Sequence, residues 1–234
     1  MDIAFNIWLS FRILFIILVV VYVISGLDDL LVDLVYYSRQ IYRFLFLRKR
    51  MRPVTREQLD AVPEKLMVVI VPAWDESNVI ARMLLNTINT VLYKNYMVFV
   101  GTYPNDEKTK FEVEKIREIH PNVEVVVTPA DGPTNKADCL NWVYQGIKVY
   151  ETDHSVKFEV YIFHDAEDII HPLSLKYVNF LTPRIPFVQL PVYPLEQGWW
   201  NFTVGMYMDE FAENHTKDLR AREILAETIP SARR

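Results

Sequence analysis

The stretch His164-Asp165-Ala166-Glu167-Asp168 puts three carboxylates within four residues. It follows Val160–Phe163, an apolar run of buried-strand type. Carboxylates crowded in this way repel one another unless a cation sits among them. Hard oxygen donors suit Mg²⁺ or Mn²⁺, and such an ion screens a diphosphate and stabilises it as a leaving group. The structural alternative is an acidic turn that caps the next helix. In an extended segment Asp165 and Glu167 project to one side and Asp168 to the other. Asp165 and Glu167 are therefore the expected metal pair. Asp168 is the expected cap of a helix starting near Pro172. His164 and His171 are the closest histidines, and neither has a cysteine or second histidine at zinc-ligand spacing. His164 is expected to pack or support.

Two more stretches carry chemistry. Pro72-Ala73-Trp74-Asp75-Glu76-Ser77 joins an apolar run to a helical pattern, and backbone N–H groups at such a helix start favour an anion. Asp75 and Glu76 would also serve there as plain caps. Trp74 is placed to stack beside a base or to pack in the core. Asp131-Gly132-Pro133-Thr134-Asn135 runs into a helix headed by Lys136, which would meet a diphosphate or stand free on the surface. Gly-x-Gly-x-x-Gly and Gly-Lys-Ser/Thr are both absent, which excludes the usual dinucleotide fold and a P-loop.

These residues need elements to hold them. Leu66–Val71, Met97–Val100, Val123–Val127, Val160–Phe163 and Phe187–Leu190 read as strands. Ser77–Leu92, Glu107–Ile119 and Lys136–Tyr150 read as helices between them. Strands alternating with helices of this length predict an α/β fold, with a mostly parallel sheet flanked by helices. Its crossovers are right-handed, and ligands bind beyond the carboxyl ends of its strands. All the stretches above lie at those ends.

An apolar content of 51% rules out a disordered chain. The single cysteine excludes a disulfide scaffold and fits a reducing compartment. The net charge of −5 argues against a nucleic-acid partner. That charge is uneven, because residues 1–52 carry a net +3 and the rest a net −8. Ile13–Ile24 is unbroken apolar sequence within a longer run from Ile3 to Leu27, enough to cross a bilayer. Asp2 stands where a signal peptide would be basic, and no small-x-small cleavage site follows, so an anchor is expected. Arg12 is the only basic residue before the unbroken span, whereas Arg39, Arg43, Arg48, Lys49, Arg50 and Arg52 follow it. That asymmetry puts the C-terminal side in the cytoplasm. Leu30–Leu47 reads as a further helix, either with its basic residues among anionic headgroups or as a solvated linker. Three regions result: an anchor over 1–27, a juxtamembrane basic helix and linker over 28–62, and a catalytic-type domain over 63–234.

Taken in order, Pro72-Ala73-Trp74-Asp75-Glu76, Lys136-Ala137-Asp138-Cys139-Leu140-Asn141 and Asp165-Ala166-Glu167 resemble the motifs of the family 2 glycosyltransferases, which have the GT-A (Rossmann-like) fold. A membrane-bound branch of that family, connected with phage adsorption, shares further stretches. These include Ser25–Asp29, Val100–Asp106, Gly132–Asn141, Pro191–Pro194 and Asp209–Phe211. The resemblance implies that Pro72, Ala73, Trp74, Glu76, Tyr103 and Ala166 frame a nucleotide-sugar. It also implies that Lys136 and Asp165 approach its ribose and diphosphate, and that Asp165 and Glu167 hold Mn²⁺ or Mg²⁺. Three departures stand out. Gly101-Thr102-Tyr103 replaces the usual Asp-Asp-Gly beside the base. The metal motif reads Asp-x-Glu rather than Asp-x-Asp. The chain stops before the family's acidic base motif.

The expectation is a single-pass protein of the bacterial inner membrane with a cytoplasmic domain. It would transfer a hexose, with inversion, to a cell-envelope glycan, and work beside an outer-membrane export or receptor partner. The alternative is a catalytically incomplete fragment, a membrane scaffold or remnant of a phage-receptor pathway. The basic cluster generates a direct test. A reporter fused after Arg52 should be active only when it is a cytoplasmic reporter; activity of a periplasmic one would reverse the orientation.

Overall fold

The computed structural model describes residues 3–47, 53–195, 198 and 200–226. The chain divides into two compact units, Val54–Val188 and a second made of Met1–Pro53 with Gln189–Arg234.

Val54–Val188 contains the sheet. Its elements are α2 (Arg56–Asp60), β1 (Met67–Pro72), α3 (Ile80–Thr90), β2 (Tyr96–Thr102), α4 (Glu107–Ile119), β3 (Val123–Val127), α5 (Lys136–His154), β4 (Val160–Phe163) and α6 (Ser174–Leu181). The four strands run parallel in the order β3-β2-β1-β4. Met67 through Val71 have no exposed surface, as expected of a central strand covered on both faces. On one face Val68, Ile70 and Phe99 pack against Cys139, Val143 and Ile147 of α5. This is the GT-A arrangement, and β4 supplies its edge.

Phe187–Leu190, expected as a fifth strand, has no regular structure. Pro186 and Pro191 flank it and cannot donate to a ladder, and Phe187 is 63% exposed. The helix expected from Ser77 starts later, at Ile80. The reason is local. Asp75 sits at φ 57, and the N–H groups of Val79 and Ile80 both donate to the Glu76 carbonyl at 3.0 and 2.9 Å.

The segment before β1 is tied to α6. Asn179, fully buried, donates to the Pro63 carbonyl at 3.0 Å. Lys176 bridges Asp60 (3.1 Å) and Glu64 (3.0 Å).

The second unit is helical. α1 (Ile3–Tyr42) is continuous, with no break near residue 27, and ends in a wide π-type turn at Arg43–Leu47. Its apolar part is long and apolar enough to span a membrane, and none of it is buried. Arg48, Lys49, Arg50 and Arg52 lie outside the described residues. After the sheet come α7 (Phe202–Glu213), a π-type turn (Asn214–Asp218) and α8 (Leu219–Ala226). Lys217 meets Asp33 at 2.6 Å and Arg222 meets Asp28 at 3.4 Å, which fastens this end of the chain to α1. Trp200, Phe202, Met206 and Tyr207 are exposed.

Gly101 allows α5 to lie close on β2. A Cβ there would stand 2.6 Å from both Cys139 Sγ and a Val143 methyl. Gly101→Ala should therefore cost about 1–3 kcal/mol by overpacking. Val143→Ala in the same protein should recover part of that loss. A denaturant midpoint unchanged by Gly101→Ala would refute this packing argument.

Candidate active site

Four loops leave the carboxyl ends of the strands, and three of them lock together. After β1, Trp74 is half-buried and meets the edge of Tyr103 with ring centroids 5.1 Å apart. Tyr103 follows β2, is 3% exposed, and shares a 2.9 Å hydrogen bond with the Thr134 hydroxyl. Gly132, after β3, lies flat on the indole, where any Cβ would collide with Trp74 and come within 2.9 Å of Tyr103. The Asn105 side chain clasps the Gly132 backbone, donating to its carbonyl at 2.7 Å and accepting from its N–H at 2.8 Å.

The start of the first loop is held from the second. Asp106 accepts from the Asp75 N–H at 2.7 Å, and the Thr109 hydroxyl accepts from the Glu76 N–H at 3.0 Å. These are N–H groups that sequence reasoning assigned to an anion. They are occupied, so that loop does not present them to a ligand. Asp106 also caps α4 through the Thr109 N–H at 3.2 Å. Sequence reasoning missed Asn105, Asp106, Thr109 and Thr134 as supports. An Asp before a helix with Thr three residues on was the available signal.

The fourth loop carries the acids. Residues 165–168 form a tight turn closed by the Asp168 N–H on the Asp165 carbonyl at 3.1 Å, not the extended segment expected. Asp168 does not cap α6, whose N-terminal cap position is Leu173. Its carboxylate turns back to accept from the Asp165 N–H and to bond the His164 ring, both at 3.0 Å. Burial opposes its ionisation, but those two partners outweigh it and hold the carboxyl below its ordinary range. An i to i+3 closure defeats the alternation of an extended chain because the side chain supplies its own acceptor.

Lys136 heads α5, where Asn135 caps the helix through the Asp138 N–H at 2.8 Å. Its ammonium forms an ion pair with Asp165. The two residues expected at the diphosphate thus come together from different loops. Glu76 is half-buried, and its carboxyl is held above its ordinary value. Burial is the largest cause, followed by the charges of Glu167, Asp75, Asp165 and Asp106. Glu167 is exposed, Pro72 partly so, while Ala73 and Ala166 are each 2% exposed. Among the described residues no group of three or more His, Cys, Asp or Glu side chains is arranged to hold a metal. Two carboxylates with diphosphate oxygens and water remain a fitting donor set for Mg²⁺ or Mn²⁺.

A four-stranded parallel sheet flanked by helices, with acids, a lysine and an aromatic at its carboxyl ends, is the arrangement of the GT-A fold. The chain belongs to the glycosyltransferase like family 2, whose profile matches residues 63–233. It is 43% identical over 230 residues to bacteriophage adsorption protein B of Escherichia coli (strain K12), and equally to bacteriophage N4 adsorption protein B of Escherichia coli O157:H7. Each match covers 98% of this chain and 31% of the relative, so the chain spans about a third of their length. Among solved structures, a mannosyltransferase from Pyrobaculum calidifontis in complex with GDP-Man and Mn²⁺ is 19% identical. That match covers 67% of this chain and 43% of that one, with a TM-score of 0.40. Glucosyl-3-phosphoglycerate synthase from Mycobacterium tuberculosis, in complex with UDP, is 16% identical. There the coverage is 74% and 57%, and the TM-score 0.34.

The charge crowd has a pH signature. Folded Glu76 keeps its proton to higher pH than the unfolded chain does, so its ionised form costs stability above the folded value. That cost is relieved as pH falls to the ordinary 4.5 and below. Glu76→Gln should raise the melting temperature at pH 7, with the gain fading as pH is lowered through that range. A gain independent of pH would mean that charge is not its source.

Proposed function

We propose that this chain is the donor-binding part of a membrane-anchored glycosyltransferase, taking a nucleotide-sugar and a divalent cation at the loops after β1 to β4. The observation that carries this reading is the approach of Glu76 to Asp165 and Glu167, with Asp165 paired to Lys136 and the Glu76 carboxyl held above its ordinary value by burial and by those neighbouring charges. Structural ion-pair networks disperse charge. This cluster concentrates it, which suits a site completed by a cation and a phosphate.

In this reading Asp165 and Glu167 hold the Mn²⁺ or Mg²⁺, and the ion supplies charge screening of the diphosphate leaving group. Lys136 binds the same diphosphate from the opposite loop, exchanging the Asp165 carboxylate for phosphate oxygens. Trp74 presents its indole to the nucleotide, beside Pro72 and Ala73. Tyr103 and Gly132 hold that ring in place from beneath. Asp168 and His164 set the turn that aims Asp165 and Glu167. Ala166 between them has no side chain to obstruct the ligand. Transfer to an acceptor hydroxyl needs a base, and no residue described here is assigned that role. The relatives' length leaves room for it outside this chain.

The rest of the proposal follows from family and charge. The sugar is a hexose transferred with inversion to a cell-envelope glycan. The chain sits in the bacterial inner membrane by α1 with its catalytic domain in the cytoplasm. An outer-membrane receptor or export protein of the phage-adsorption type is its partner.

The test uses the full chain in neutral detergent. Mn²⁺ with a nucleoside diphosphate should raise its melting temperature, by an amount set by concentration over the dissociation constant, about 2.7 kcal/mol at a hundredfold excess. Glu167→Gln should abolish that shift. Asp168→Asn, which keeps an acceptor for the Asp165 N–H, should retain most of it. The opposite pattern would move the metal ligand to Asp168, and no response to any metal–nucleotide pair would reject donor binding by this chain.

A further inference from the structure

α8 packs on α1 where Val32 and Ala221 are buried. One flank of that contact is neutralised, Arg222 by Asp28 and Lys217 by Asp33 and Glu213. The other flank is not. There a cavity of about 150 Å³ is lined by Tyr36, Arg39, Gln40 and Arg43 of α1 and its end, and by Arg220 and Glu223 of α8. Among the described residues none of the three arginines has a carboxylate within 4 Å, so Glu223 does not neutralise them in place. Gln40 is held toward the cavity by its 3.0 Å hydrogen bond to the Tyr36 hydroxyl. Three guanidinium groups around one cavity repel one another, and each offers the planar fork that matches phosphate oxygens.

We propose that this arginine cavity, independent of the donor site, is a binding site for the phosphate or diphosphate group of a soluble ligand. The volume admits such a group and excludes a whole nucleotide, since drug-sized ligands occupy pockets of roughly 300–1,000 Å³. Position decides between a soluble source and a bilayer lipid. Asp28 and Asp29 close the apolar stretch of α1, because carboxylates are not placed in hydrocarbon. Arg39 lies eleven residues beyond Asp28 and Arg43 fifteen, so they stand about 16 and 22 Å further along the helix. The headgroup layer on one side of a bilayer is only about 5–8 Å deep. Even a helix tilted by about 40° leaves both arginines beyond it. Of the two readings of this helix, the solvated one goes with the soluble ligand.

The experiment is equilibrium dialysis of the full chain in neutral-detergent micelles against labelled inorganic diphosphate, with EDTA present and at low salt. One saturable site is expected. Arg43→Gln and Arg220→Gln, on separate helices, should each weaken it at least tenfold without lowering the melting temperature. Lys136→Gln should leave it intact. Raising the ionic strength should weaken it. Loss of binding in Lys136→Gln with retention in Arg220→Gln would assign the diphosphate to the donor loops and overturn the proposal. Absence of saturable binding would overturn it too. A second arm repeats the measurement in nanodiscs of phosphatidylcholine with or without phosphatidylglycerol. Equal affinity in both supports a soluble ligand. Loss of diphosphate binding in phosphatidylglycerol discs, with the arginine variants no longer responsive, would make the lipid headgroup the occupant and refute the soluble source.

Discussion

Glu76 arrives from the loop after β1 and Asp165 and Glu167 from the loop after β4, and all three carry the same charge close together. Water would separate them if it could. The fold holds them by giving each loop an anchor that does not depend on those charges. Asp106 and Thr109 hold the first loop by its backbone. Asp168 and His164 close the fourth into a turn. Lys136, fixed at the head of α5, is a cation that the protein itself provides, and it pairs with Asp165. Glu76 answers its burial first, and the remaining repulsion second, by keeping its proton more tightly. The Asp106 and Thr109 anchors on one side and the Asp168–His164 turn on the other keep these two loops close against like charges.

The same arrangement explains which features were legible in the amino-acid order. Glu107–Ile119, Val123–Val127 and Val160–Phe163 are found with the bounds their patterns predict. Their ends are set locally, by an Asp cap, by Gly or Pro, or by the change from apolar to charged residues. Lys136 and Asp165 were legible as diphosphate candidates, and topology brings them together because both stand at carboxyl ends of parallel strands. Phe187–Leu190 has the composition of a strand, but pairing is a property of a neighbour, and composition does not supply one. The Asp165–Asp168 turn was hidden for a related reason. Alternation assumes an extended backbone, and one side-chain acceptor was enough to curl it. The N–H groups of Asp75 and Glu76 were read as free because their acceptors, Asp106 and Thr109, lie about thirty residues away.

Trp74 shows packing and proposed function in one side chain. Its indole rests on Gly132 and against Tyr103, so its orientation is settled before any ligand arrives. A rigid aromatic surface loses little entropy on binding, which favours a stacking role. The helical unit obeys a different economy. Its acids on α1 are matched by bases near α8 on one flank, and its arginines are left to share a cavity on the other. Charge placement organises both units, by crowding acids at the sheet and bases at the helices.

The central claim is that the acid cluster is completed by a cation and a diphosphate together. Two carboxylates alone bind Mn²⁺ weakly, and the diphosphate supplies the missing oxygens. The direct measurement is the electron paramagnetic resonance signal of free Mn²⁺, titrated with the full chain in the presence and absence of a nucleotide-sugar. The account predicts little loss of signal with protein alone, and at least tenfold tighter Mn²⁺ binding when the nucleotide-sugar is added than either component gives singly. Equal Mn²⁺ binding with and without the nucleotide-sugar, or none under either condition, would contradict it.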